Sequence, residues 1–192
     1  MKRHNLAFVD IETTGFEPGK HEMIEIGIVV VKQIGDEGKK FEVLEEVELK
    51  IKPERIEDAD PQALKVNGYD PSQWIFANTL KEAMTIFSAK TENAIFVAHN
   101  LTFDYSFIDH AFKKTEVENK MFYPKIDTIS VAYAKLHANP QVDKFRLQKL
   151  CEYFGIKNER AHTALAGPRP RAGFRRRPDG VAQPVARCGA RA

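Results

Sequence analysis

The sequence has few cysteines and no long apolar run. Its two cysteines, Cys151 and Cys188, lack the spacing of a metal site. So few cysteines are typical of a reducing compartment, and we expect a cytoplasmic protein. No apolar segment reaches the roughly 20 residues of a membrane-spanning helix, and the first residues lead into a strand instead of a signal peptide. We therefore expect no membrane partner.

Positive charge is also scarce in most of the chain. The whole sequence has a net charge of +2, but residues 1–166 contain 22 basic residues against 26 acidic ones, a net charge of −4. Residues 167–192 contain 7 arginines, no lysine and one acidic residue, Asp179. A broad basic surface for nucleic acid is therefore not indicated in residues 1–166. A polyanion would have to be held there by metal ions and local contacts.

The apolar pattern predicts strands first, then a strand that alternates with helices. The predicted strands are Asn5–Asp10, Met23–Lys32, Phe41–Lys52 and Ala94–Ala98, and the first three form an antiparallel meander with a turn at residues 35–38. The predicted helices are Pro61–Asn67, Thr79–Lys90, Phe103–Lys113, a helix capped by Asp127 that runs to Leu136, and Phe145–Phe154. This order predicts one α/β domain in residues 1–166, with a mixed β-sheet flanked by helices.

The last 26 residues, 167–192, do not continue this pattern. Prolines at positions 168, 170, 178 and 184 prevent a continuous helix, and no aliphatic periodicity remains. We expect an irregular tail that is disordered or foreign to the domain, as in a chimeric or truncated gene. A native basic arm that contacts phosphates is the alternative.

Two carboxylates stand close together near the start of the chain, in the run Phe8–Gly15. Asp10 and Glu12 end an apolar stretch, and side chains two residues apart on a strand point to the same face. Such close like charges repel, and a fold accepts them mainly when a cation lies between them. Thr13–Gly15 favours a tight turn that brings backbone near these acids. The alternative is a solvated strand end that happens to be acidic.

Two further stretches contain residues that suit a metal-dependent site. Asp104 lies in the first turn of the helix after the fourth predicted strand, where the helix dipole stabilises a carboxylate. Alone it is an ordinary helix-start acid, but with Asp10 and Glu12 it becomes a candidate third metal ligand. His162 lies among small residues, where a single histidine is more often structural than catalytic.

Together these segments resemble the DEDDh branch of the DnaQ-like 3′–5′ exonucleases, the group of ribonuclease T and the DNA polymerase III proofreading subunit. The resemblance covers about residues 5–166. Asp-Ile-Glu-Thr-Thr-Gly at 10–15 is similar to the first motif, His-Asn-x-x-Phe-Asp at 99–104 to the second, and Ala-His-Thr-Ala-Leu-Ala at 161–166 to the start of the third. It implies a ribonuclease H-like fold and hydrolysis of terminal phosphodiesters of single-stranded nucleic acid, in DNA proofreading or repair.

The resemblance also implies cofactors, partners and site residues. The cofactors would be two divalent cations, Mg²⁺ or Mn²⁺, and the partners 3′ ends of single-stranded DNA or RNA together with a DNA polymerase. The implied catalytic residues are the metal ligands Asp10, Glu12 and Asp104, and His162 as the general base that deprotonates the attacking water. The implied contacts to the terminal nucleotide are Thr13, Thr14, Asn100 and Phe103. Phe16 either stacks on a base or belongs to the core.

The third motif departs from the family pattern at one position. The family has an acid five residues after the motif histidine, and this chain has Gly167 there. Disturbing even an outer partner of a bound metal costs about 10–100-fold in affinity or activity, so we predict an impaired nuclease. An RNA-trimming exonuclease of the same family and a non-catalytic nucleic-acid-binding module remain as alternatives.

Overall fold

The computed structural model describes residues 3–34, 40–156, 169–176 and 182–187. Its strands are β1 (Leu6–Thr13), β2 (Met23–Ile34), β3 (Lys40–Lys50), β4 (Ile95–Ala98), β5 (Phe122–Asp127), β6 (Arg169–Arg176) and β7 (Ala182–Arg187). Its α-helices are α1 (Pro61–Asn67), α2 (Leu80–Lys90), α3 (Leu101–Thr115), α4 (Thr128–Leu136) and α5 (Leu147–Phe154). Short 3₁₀ helices span Ile56–Asp58 and Pro71–Trp74. None of these described helices is long and apolar enough to cross a bilayer.

Five strands form one mixed sheet in the order β3-β2-β1-β4-β5. The strands β1, β2 and β3 pair antiparallel in sequence order, while β4 and β5 run parallel to β1. The predicted meander and mixed sheet are therefore confirmed. Thr13 of β1 pairs with Met23 of β2, and Lys50 of β3 pairs with Glu25, so these residues lie at the same end of the strands. We call it the motif end of the sheet.

Strand β2 is buried on both of its faces, and helices pack against one of them. Every residue of β2 from Met23 to Val31 is buried, which leaves no face of this strand for water. The larger core cluster joins β1 and β2 to α2 and α3, with Phe87 and Ile108 fully buried at its centre. Helix α2 begins at a capping box between Thr79 and Glu82, so its start is fixed locally as the sequence predicts.

The edge strand β5 is absent from the sequence-based prediction. It contains Pro124, and Tyr123 is 80% exposed, so its pattern does not show a buried strand. Proline is accepted on edge strands because one side of such a strand makes no ladder hydrogen bonds. Strand β1 is also longer than predicted, since it continues to Thr13 and includes both Asp10 and Glu12.

The tail differs from the expected irregular chain in its described parts. Strands β6 and β7 pair antiparallel in a separate two-stranded sheet, in which Pro170 and Pro184 lie within the strands. The prolines exclude a helix, but both strands of a ribbon are edge strands and tolerate them.

Candidate active site

Strand β1 places the two carboxylates of the first motif on one face. Asp10 and Glu12 are half-buried, whereas Val9 before them and Ile11 between them are almost fully buried. This alternation follows from the two-residue period of a strand. The predicted shared face of Asp10 and Glu12 is therefore confirmed.

The second motif reaches the same strand through Asp104. This residue is fully buried in the first turn of α3, and its Oδ1 accepts a hydrogen bond of 3.2 Å from the backbone N–H of Ile11. Ile11 lies between Asp10 and Glu12, so a carboxylate 93 residues away in sequence contacts the strand between the other two.

A buried ion pair continues this row of charges and was missed from the sequence. Glu12 on β1 lies opposite Glu25 on β2, and Glu25 lies opposite Lys50 on β3. The Glu25 side chain is 4% exposed, and its Oε2 is 3.2 Å from Lys50 Nζ. Like charges on opposite strands are destabilising, so Lys50 offsets the repulsion. The sequence signal for this ion pair was Glu25, a single acid within the otherwise apolar segment Met23–Val31.

A cleft of about 530 Å³ opens beside Asp10. Its lining includes Asp10, Phe16, Asn100, Phe103, Phe145 and Arg146. Phe16 is 73% exposed, and its ring makes an edge contact with Phe103 at a centroid distance of 6.3 Å. Phe16 is therefore not a core residue, and the cleft combines one acid with accessible aromatic rings.

Thr13 and Thr14 are not among the residues that line this cleft. Both are buried, and their hydroxyls take part in the turn after β1. Thr13 Oγ1 donates to the carbonyl of Gly15 at 2.6 Å, and Thr14 Oγ1 accepts from the backbone N–H of Glu22 at 2.9 Å. In the structure these two side chains stabilise the turn after β1. Their predicted contact with the terminal nucleotide stays a prediction.

Asn100 stands at the cleft in a left-handed backbone conformation, with φ of 69°. Asparagine tolerates this conformation better than most residues. Asp127, the N-cap of α4, accepts hydrogen bonds from the backbone N–H groups of Asn100 at 3.2 Å and Ile129 at 3.1 Å. Partial burial raises the pKa of Asp127, but hydrogen bonds from Ile129, Ser130, Leu101 and Asn100 outweigh it and hold the pKa below its ordinary value.

The oxygen ligands of the three acids suit a hard divalent cation. Within residues 3–34, 40–156, 169–176 and 182–187, however, no group of three or more histidine, cysteine or acidic side chains is placed to hold a metal ion. Mg²⁺ typically binds one or two carboxylates together with water and substrate phosphates, so a closed protein cage is not required. His162 and Gly167 lie outside the described residues.

Comparison with known proteins gives consistent matches. A profile of the RNase T exonuclease family matches residues 7–166. Ribonuclease T of Shewanella denitrificans is 31% identical over 170 residues, which cover 82% of this chain and 72% of the relative. The PolC-type DNA polymerase III of Thermotoga petrophila is 31% identical over 163 residues, which cover 84% of this chain and 11% of that protein.

Solved structures show the same fold. E. coli exonuclease I in complex with a dT13 oligonucleotide superposes with a TM-score of 0.67 at 19% identity. The zinc-bound form of its single-stranded DNA complex superposes with a TM-score of 0.70 at 19% identity. Both matches cover 85% of this chain, and the chain spans only 38% of the exonuclease I length. The predicted ribonuclease H-like fold is confirmed.

Proposed function

This chain belongs to the exonuclease family whose profile matches residues 7–166, and from this membership we propose its activity. The family consists of 3′–5′ exonucleases that act on single-stranded DNA or RNA. The chain binds a 3′ end in the cleft beside Asp10 and hydrolyses the terminal phosphodiester. The hydrogen bond between Asp104 and the backbone of Ile11 carries the proposal. It brings the acid of the second motif to the strand that holds the two acids of the first.

Asp10, Glu12 and Asp104 would hold divalent cations, Mg²⁺ or Mn²⁺. When bound, such ions neutralise charge at the scissile phosphate and lower the pKa of the attacking water. The chain's own residues position the substrate: Asn100 and Phe103 line the cleft, and Phe16 offers an accessible ring to a base. His162 remains the proposed general base, and Thr13 and Thr14 the proposed contacts to the terminal nucleotide.

Metal binding is tested by calorimetric titration of Mn²⁺ into the wild type and Asp104→Asn. Asparagine keeps an acceptor for the Ile11 N–H but removes the charge, so the fold should persist while Mn²⁺ affinity falls at least tenfold. Equal Mn²⁺ affinity in two variants with the same melting temperature would contradict the assignment of Asp104. Lack of binding by the wild type would contradict the metal site as a whole.

We propose that turnover by this chain is impaired, because Gly167 stands where the family motif has its fourth carboxylate. A single-turnover assay with a 5′-labelled single-stranded oligonucleotide and Mn²⁺ tests this. Weak trimming that disappears in Asp10→Asn and rises incompletely in Gly167→Asp is the expected result. Robust trimming by the unmodified chain would refute the impairment. Oligonucleotide binding with neither Mn²⁺ affinity nor any trimming would favour a non-catalytic binding module.

The substrate is proposed to be DNA in a proofreading or repair role, with a DNA polymerase as partner and a cytoplasmic location. RNA trimming is the second candidate, and the 31% identity to proteins named ribonuclease T favours it. Discrimination between the two substrates depends on contacts to the 2′-hydroxyl. Matched DNA and RNA oligonucleotides assayed in competition would decide, since a preference for RNA would refute the DNA role.

A further inference from the structure

A second pocket of about 420 Å³ lies at the motif end of the sheet, apart from the cleft. Its apolar lining includes Met23 at the start of β2, Ile51 just after β3, and Phe107 on α3, all of them buried. The loop of residues 14–22 separates the two cavities, because Phe16 lines the cleft while Gly19 and His21 line the second pocket.

The loop that divides the cavities touches α3 closely. Gly19 has φ of 91°, and a Cβ at this position would lie 3.3 Å from Cε1 of His110. Helix α3 lines both cavities, since Phe103 faces the cleft and His110 the second pocket. Seven residues of helix separate them, which corresponds to about 10 Å. A few nucleotides of an extended strand can span this distance.

The charged side chains that line the second pocket have a surplus of one positive charge. Glu22 lies near Arg55 and Glu54 pairs with Lys114 at 2.9 Å, so these charges offset one another and Lys52 is the surplus. Lys52 is exposed and has no acidic group of the described residues within ion-pair distance. With His21 and His110 on the same lining, the pocket has a local surplus of donors in a body whose net charge is −4.

We propose that this second pocket binds the upstream part of the single-stranded substrate whose 3′ end occupies the cleft. Lys52 and His110 contact backbone phosphates, and the apolar floor accepts a base. Charge complementarity favours this occupant, since Lys52 and two histidines line a concavity of a domain whose net charge is −4. The inference rests on the proposed function, because it assigns the pocket to the same substrate.

The test measures binding instead of turnover, by fluorescence anisotropy with 5′-labelled oligonucleotides of two and ten nucleotides. The wild type should bind the ten-nucleotide strand several-fold more tightly than the dinucleotide, which is too short to reach the second pocket from the cleft. The double variant Lys52→Gln/His110→Gln should lose most of this difference and leave dinucleotide affinity unchanged. Each lost phosphate contact should reduce the slope of log affinity against log salt by about 0.7. Equal melting temperatures would exclude misfolding as the cause.

Lys120→Gln is the matched control, because Lys120 is exposed and precedes β5 at the opposite end of the strands. It removes one positive charge and should leave the length dependence as in the wild type. An unchanged length dependence in Lys52→Gln/His110→Gln, or an equal loss in the control, would overturn the second pocket as a subsite. Absence of binding to both oligonucleotides by the wild type would instead overturn the proposed function, and the subsite with it.

Discussion

The carboxylate of Asp127 accepts a hydrogen bond of 3.2 Å from the backbone N–H of Asn100, and thereby joins the start of α4 to the left-handed turn at the cleft. Asp127 also caps α4 through Ile129. We predict that Asp127→Ala lowers the free energy of unfolding by about 1–2 kcal/mol, since a helix loses its cap. Urea unfolding measures this, and Asp143→Ala, which removes an exposed acid between α4 and α5, should change it little. Equal losses in both variants would contradict the role.

The stabilisation by Asp127 should depend on pH. Its pKa is lower in the folded state than in the unfolded state, so its contribution is present above the ordinary aspartate value of about 3.9. The contribution disappears as pH falls through the lower folded-state pKa. We expect the stability difference between the wild type and Asp127→Asn to shrink in acid, as measured by urea unfolding between neutral pH and pH values below about 3. A constant difference would contradict this linkage.

Gly15 packs so closely against His21 that it leaves no room for a side chain. A Cβ at Gly15 would lie closer than 3.0 Å to three atoms of the His21 ring. The ring is held in place because its Nδ1 accepts a hydrogen bond of 3.1 Å from the backbone N–H of Glu17. We predict that Gly15→Ala costs about 1–3 kcal/mol of stability, as overpacking does. Thermal and urea unfolding measure the loss. The double variant Gly15→Ala/His21→Ala should recover part of it, because the ring that clashes is gone.

Phe16 should bind nucleic acid without stabilising the fold. Its ring is 73% exposed at the cleft, and stacking of one base on an aromatic ring is worth about 1–3 kcal/mol. We expect Phe16→Ala to weaken single-strand binding by about 5- to 150-fold at an unchanged melting temperature. Phe76→Ala is the control, since Phe76 is 97% exposed and is not among the cleft residues. Equal affinities for the two variants would refute stacking by Phe16.

Removal of Lys50 should leave a buried charge beside Glu12. The Glu25 side chain is 4% exposed and Lys50 is 28% exposed, and breaking a buried ion pair from one side costs up to about 3–5 kcal/mol. We predict such a loss for Lys50→Met in urea unfolding and a smaller one for Lys50→Met/Glu25→Gln, which removes both charges. Lys113→Met breaks an exposed pair with Asp109 and should cost less than about 1 kcal/mol. Similar losses for Lys50→Met and Lys113→Met would contradict the burial argument.

Most elements of the domain could be predicted because their signals are local. The helix Pro61–Asn67 has the predicted bounds, and the cap at Asp127 starts α4 as expected. Strand β5 could not be predicted, because its exposed residues and Pro124 are acceptable only at a sheet edge. Which strand becomes an edge depends on the order of the whole sheet, which no short segment specifies.

The sequence alone determined that Asp10 and Glu12 share a face, because side-chain direction on a strand follows from a period of two residues. Only the tertiary structure decided that Asp104 reaches Ile11 and that Phe16 stays exposed. Contacts between distant segments depend on how β1, β4 and α3 pack together, and local periodicity does not contain that information. The second pocket likewise depends on tertiary packing, because its lining comes from β2, α3 and the residues after β3.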